Sequence, residues 1–265
     1  MATYLMEDGD EGERLRLKTD RAVVERQARW AGIGAGMRVL DVGCGAGVTS
    51  AILGDLVSPQ GSILGIDASA ERIETARRNF QGPGVAFACR DFRQQMEGLG
   101  AFDFIWVRFV LEYHRSGAFD IVGRLSDLLR PGGILCLIDL DHNCLNHYGL
   151  SARLERNIQG VMDWLRERAD FDPFMGRRLY SFLYDLGLED IEVKMTPHHL
   201  IFGELSEVDR YNWWRKLAVA ARGSGWSWAD YEQGFDGFAA EFMDFFSDPR
   251  RFTYTPMIAC RGCRR

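Results

Sequence analysis

The chain has 265 residues, 46% hydrophobic and 26% charged, so it is long enough and apolar enough to bury a core and does not have the composition of a disordered or fibrous protein. Its net charge of −6 and pI of about 5.5 set up a field that opposes phosphate backbones, which argues against a nucleic-acid partner; the short basic tail RGCRR reads as an exposed terminus. No window reaches the ~18 apolar residues of a membrane span, and the charged opening MATYLMEDGDEGERLRLK has no secretory apolar block, so a cytoplasmic protein without a membrane partner is expected.

From residue 37 to about 140, short apolar runs alternate with segments of helical spacing. The runs are RVLDV (38–42), SILGI (62–66), VAFAC (85–89), FDFIWV (102–107) and ILCLIDL (134–140). They are apolar on both faces, as strands between two helix layers must be. AERIETARRNF from Ala70 reads as a helix with Ser69 as its N-cap, and Pro131, Gly132 and Gly133 predict a break before the fifth strand. Such alternation predicts an α/β fold, a doubly wound, mostly parallel sheet with right-handed crossovers.

After residue 140 the pattern loosens. A helix is predicted over about 174–186, stopped by Gly187, then a strand at 191–195; FTYTPMIAC reads as a last strand, where Pro256 suggests an edge or a bulge. Residues 145–170 and 203–250 do not fit the alternation. In the second, Phe235, Phe238, Phe242 and Phe245 recur at helical spacing after Trp213, Trp214, Trp226 and Trp228. One reading is a helical insertion packed on the core; the sharper one makes these rings the roof of an apolar substrate pocket or a homodimer contact. The six cysteines fit a reducing compartment, and the single CxxC of Cys260 and Cys263 has no second pair, so no metal site is expected.

The most informative stretch is LDVGCGAGVTS. Gly43, Gly45 and Gly47 follow a strand and precede a helix, where missing side chains let a ligand approach the backbone. The dinucleotide fingerprint GxGxxG fails, since Val48 stands at its sixth position, and no Lys-Ser or Lys-Thr pair follows to make a phosphate loop. Instead Asp41 precedes the glycines, which suits a ligand carrying amino groups and positive charge and would repel a pyrophosphate. Asp67, twenty residues past Gly47, ends the second strand, where a carboxylate accepts ribose hydroxyls. Asp91 ends the third, where an acid can accept from an adenine amino group while Phe92 packs on the ring.

With Asp41 to Gly47, Asp67, Asp91, FDFIWVRFVLEYHR and LLRPGGILCLIDLD in these positions, the chain resembles the Rossmann-like (class I) S-adenosylmethionine-dependent methyltransferases, over roughly residues 20–200 plus the last strand. The resemblance implies a seven-stranded sheet whose last strand is antiparallel, with S-adenosylmethionine as cofactor and S-adenosylhomocysteine as product. It places Gly43, Cys44 and Gly45 against the methionine part, Asp67 on the ribose with Ala68 and Arg72 beside the nucleoside, Asp91 and Phe92 at the adenine, and Val107 and Arg108 on the substrate side. It also makes residues 1–35 a helical lid whose Tyr4 can cover the sulfonium. The expected division is then the lid, a core over 36–202, an aromatic insertion over 203–250 and the last strand with its tail over 251–265.

Methyl transfer gains mainly from alignment and exclusion of water, and a base is needed only for an acceptor that arrives protonated. Beyond the fourth strand His114, beside Arg108, Glu112 and Tyr113, is the first choice for a base or an acceptor-orienting group. Beyond the fifth, His142 is a second candidate, with Asp139, Asp141, His147 and Tyr148 nearby; His198 and His199 read as structural. The acidic charge and the aromatic insertion favour a small organic acceptor; a protein or RNA methyltransferase, or a non-catalytic binding subunit built on the cofactor fold, are the alternatives.

Overall fold

In the computed structural model the described residues are 20–94, 96 and 98–265, so Tyr4 and the start of the expected lid lie outside them. The first described helix, α1 (Arg21–Ala31), begins at Asp20, whose side chain accepts from the Ala22 and Val23 N–H groups, and stops at the left-handed Gly32. It buries Val24, Ala28 and Ala31 in one cluster with Val39, Phe104 and Ile138 of the sheet. This stretch is therefore part of the core layer, and the expected lid does not extend through it.

Eight strands are found among the described residues. Five are parallel: β1 (Arg38–Val42), β2 (Ser62–Asp67), β3 (Val85–Cys89), β4 (Phe102–Arg108) and β5 (Leu129–Leu140), in the spatial order β3-β2-β1-β4-β5. The last long strand, β8 (Phe252–Cys263), runs antiparallel between β5 and β7 (Glu189–Phe202). That completes the seven long strands expected, and the two-residue β6 (His147–Tyr148) pairs with the start of β8. β5 starts five residues early, because a register shift between the Phe102 and Phe104 pairs absorbs Pro131, Gly132 and Gly133 without a break. Pro256 is not on an edge strand; it faces Pro197 where the β7/β8 register shifts, so it marks an irregularity inside the sheet. β7 runs well past 191–195 at both ends.

Helices cover both faces. α1 and α2 (Val48–Val57) close one. α4 (Ala118–Asp127) and α6 (Leu179–Asp185) close the other, with Ile121, Leu125, Leu179 and Leu183 against Leu40, Ile66 and Leu135. α3 (Ala70–Phe80), capped by Ser69 as expected, buries Ile73 and Ala76 against Phe87 beside the glycine bend.

A second cluster stands apart from these layers. α5 (Ala152–Arg168), α7 (Glu207–Lys216), the π-turn Leu217–Ala221 and α8 (Phe235–Ser247) bury Leu154, Val161, Leu165, Trp213, Phe238 and Phe242 together. The 203–250 insertion thus shares its core with α5, which the expected domain division had assigned to the 36–202 core. The rings of Trp213, Phe238 and Phe242 are buried within the chain, whereas Trp214 is exposed.

Candidate cofactor and acceptor site

One cavity of about 730 Å³ opens at the C-terminal ends of the parallel strands, under the helical cap. Its size falls in the usual range for ligand sites, roughly 300–1,000 Å³. The strand ends and the cap line its two sides.

The bend after β1 forms the first side. Gly43 and Cys44 both donate to the Ile66 carbonyl, at 2.8 and 3.0 Å, which ties the bend to β2. The three glycines then do different things. A Cβ on Gly43 would lie 2.5 Å from Val110, and one on Gly47 would meet Ala76 and Phe87 at 2.9 Å; at Gly45 nothing lies within 4 Å, and this residue borders the cavity. Gly45 is the glycine that leaves room for a ligand, whereas Gly47, at φ +90, is there for packing against α3.

Asp67 organises this wall. Its Oδ2 accepts the Gly45 N–H at 3.0 Å and its Oδ1 the Ser69 N–H at 2.9 Å, while the Arg72 guanidinium lies 4.0 Å away. The carboxylate is thus fixed in orientation and retains lone pairs toward the cavity, as a group that accepts ribose hydroxyls must. Ala68, Arg72, Cys44, Asp91 and Phe92 border the same side. Asp91 is held by Arg93 through Nε at 2.8 Å and Nη2 at 2.7 Å, which keeps its carboxyl below the usual range. Burial pushes the Cys44 thiol far up, so it is a small apolar wall rather than a nucleophile.

Asp41 does not reach the cavity. It lies buried beneath the bend, accepting the Ser50 hydroxyl at 2.6 Å, and desolvation, with a smaller contribution from Asp67, pushes it up to about 7. The expectation that Asp41 meets a positively charged ligand becomes an effect through the field and through the shape of the bend. Val107 is likewise buried in the core, and its side chain is not part of the wall. Arg108, the next residue, does border the cavity: its guanidinium lies 4.2 Å over the Phe109 ring, its Nε has no hydrogen-bond partner, and burial brings it down to about 10 against the opposing fields of Asp41 and Asp139.

His114 is part of the wall, beside Phe92. Its ring stands edge-on to Phe92 at 5.3 Å, and burial, then Arg93, lower its pKa, so it is neutral near pH 7. His142 lies outside the cavity, bound to Asp141 and Arg177 and edge-on to Phe174. The geometry offers it no reactant, because its φ of +50 turns the chain so that the next two residues, Asn143 and Cys144, reach the wall instead. His147 is half-buried among Trp213, Phe242 and Phe245, where desolvation pushes it down to about 4, a structural ring. His198, expected to be structural, borders the cavity 4.9 Å from Phe109. The longer β7 carries it there.

The cap side of the cavity contains Cys144 together with Asn143 and Lys216, two residues that the sequence did not single out, with α5 supplying Ile158, Val161 and Met162. Glu112 is buried at this wall, accepts from Asn143 Nδ2 at 2.9 Å, and donates its backbone N–H to Asp139 Oδ2 at 3.0 Å. Burial and the neighbouring Glu112 push Asp139 well above the carboxylate range. No cluster of metal ligands occurs among the described residues.

The glycine bend after the central strand, the acid ending the next strand and a sheet with one antiparallel member give the chain the fold of the Rossmann-like (class I) S-adenosylmethionine-dependent methyltransferases. Residues 39–133 match the family described as "Methyltransferase domain". The chain is 29% identical over 101 residues to a protein-L-isoaspartate O-methyltransferase of Thermotoga maritima, covering 37% of this chain and 32% of that one. It is 29% identical over 189 residues, 69% of each chain, to a ubiquinone biosynthesis O-methyltransferase of Rhodopseudomonas palustris. The match thus spans about a third of the first relative and about two thirds of the second. The crystal structure of the YcgJ protein of Bacillus subtilis superposes with a TM-score of 0.60 at 16% identity, over 93% of this chain and 99% of that one, which shows the shared fold. No helix among the described residues is long and apolar enough to cross a membrane.

Proposed function

We propose that the protein transfers a methyl group from S-adenosylmethionine to a small organic acceptor enclosed under the α5/α7/α8 cap. The single observation that carries this reading is the continuity of the cavity from the Gly45–Asp67 wall into the lobe roofed by Trp213, Phe238 and Phe242. The residues fit the cofactor on their own chemistry: open space at Gly45, an oriented carboxylate at Asp67, and Asp91, Phe92 and His114 at the nucleoside end.

When bound, S-adenosylmethionine would supply an electrophilic sulfonium methyl, and an acceptor that arrives protonated would need a base from this chain. This chain's residues do the rest. The cap excludes water, and Arg108 sets a positive field at the junction of the two sides. Glu112 is the proton-accepting candidate at the acceptor wall, where it lies buried and accepts from Asn143 Nδ2. His114 faces the nucleoside end and is assigned to orientation there. A cavity of about 730 Å³ under the cap and a charge of −6 support a small acceptor over a protein or an RNA, and the name of the R. palustris relative agrees with an oxygen acceptor on a small molecule.

The test is calorimetry with S-adenosylhomocysteine. Asp67→Ala is expected to weaken binding by about 1–3 kcal/mol through unpaired ribose hydroxyls and a loosened Gly45. Wild-type protein that gives neither heat nor a thermal shift would overturn the enzymatic reading.

A further inference from the structure

Four polar side chains form a continuous chain along the cavity wall. Lys216 Nζ donates to Cys144 Sγ at 3.5 Å, Cys144 Sγ to Asn143 Oδ1 at 3.4 Å, and Asn143 Nδ2 to Glu112 Oε2 at 2.9 Å; all four residues border the cavity. The turn that presents Asn143 and Cys144 has non-glycine residues in left-handed backbone, His142 at φ +50 and Cys144 at φ +64. Unfavourable backbone persists where surrounding structure holds it, and such positions concentrate at ligand sites.

The cations of the cavity are not equivalent. Arg93 is bound to Asp91, Arg72 lies near Asp67, and Arg108 sits in the fields of Asp41 and Asp139. The Lys216 ammonium lies 4.6 Å over the Trp213 ring and on a thiol, and among the described residues it makes no ion pair. A lysine held by an indole face and a sulfur has its stem ordered and its charge unmatched. Two acids of the wall are already engaged, Asp170 by Ser116 and Glu112 by Asn143. Across the lobe stand Ile158, Val161, Met162 and Leu165 of α5 and Phe238 and Phe242 of α8.

We infer that the acceptor lobe takes a lipophilic organic acid, its carboxylate on Lys216 and its apolar body between α5 and α8. This rests on the proposed methyl transfer, since it makes the acid the acceptor. The carboxylate supplies the charge that Lys216 lacks, and the apolar body fills the space that water would occupy poorly.

Calorimetry on the full chain with S-adenosylhomocysteine present would use decanoate and decanol as probes, equal in length and different in charge. Decanoate is expected to bind at least tenfold more tightly than decanol, Lys216→Met to bring the two within about twofold, and Lys216→Arg to retain the preference. Equal binding to wild type, or a preference that survives in Lys216→Met, overturns the inference. S-adenosylhomocysteine is titrated separately: if it fails to bind while the Lys216-dependent preference persists, the methyl-transfer reading falls and the acid site stands.

Discussion

Gly45 and Gly47 lie two residues apart in one bend, both in left-handed backbone, and a methyl group added to each meets different surroundings. At Gly45 it points into open space beside the cavity; at Gly47 it runs into Ala76 and Phe87 at 2.9 Å. Either alanine costs about 1–2 kcal/mol from its backbone alone, and the Gly47 variant adds overpacking of roughly 1–3 kcal/mol. Gly45→Ala is therefore expected to lose S-adenosylhomocysteine affinity with a modest fall in stability, and Gly47→Ala to lose mainly stability. Thermal unfolding and calorimetry on both variants check the split, and equal stability losses would contradict it. The same two residues show how far the sequence could be read: their spacing identified a ligand bend, but which glycine faces the ligand depends on α3, whose Ala76 and Phe80 approach from thirty residues away. Asp41 was visible for the same reason and misplaced for the same reason, because its burial is set by Ser50 on α2.

At the scale of elements, β1, β2, β4 and β5 were legible because strands covered on both faces must be apolar throughout, and the edge strand β3 because VAFAC is apolar although partly exposed. β7 was read as five residues where it has fourteen, since it is an edge strand: Glu189, Glu192 and Lys194 are exposed and break any apolar signal. The phenylalanines of α8 had helical spacing but no indication of their partners, which the cap supplies by joining residues 152–168 to 207–247. Phe242 is central to that union, in contact with Trp213, Phe238, Phe246 and His147. Phe242→Ala is expected to cost about 3–5 kcal/mol as a core truncation. Because the Asp67 wall is built on the sheet and not on the cap, S-adenosylhomocysteine affinity should change little while decanoate binding falls. Measuring both on one preparation tests this, and a parallel loss of both would mean that cap and sheet form one cooperative site.

For the whole molecule, desolvated acids and desolvated histidines act on stability in opposite directions. Asp41 is pushed up to about 7 against ~3.9 in the unfolded chain, so between these values the folded state holds a proton that the unfolded state has released. Stability then falls as pH rises through that window, by on the order of 4 kcal/mol, and the penalty is constant above it. His147, pushed down to about 4 against ~6.5, does the reverse: the unfolded chain binds the extra proton, and stability rises with pH over 4 to 6.5. The two slopes largely cancel in the wild-type curve, which would conceal both. Asp41→Asn removes one of them and preserves the acceptor for the Ser50 hydroxyl, so the difference between variant and wild type isolates Asp41. Denaturant unfolding from pH 4 to 8 should show that difference growing in favour of Asp41→Asn up to about pH 7 and levelling off beyond. A difference that stays flat across this range would mean that Asp41 ionises as an ordinary carboxyl. It would also mean that the bend is less enclosed than the burial of Asp41 and Ser50 indicates.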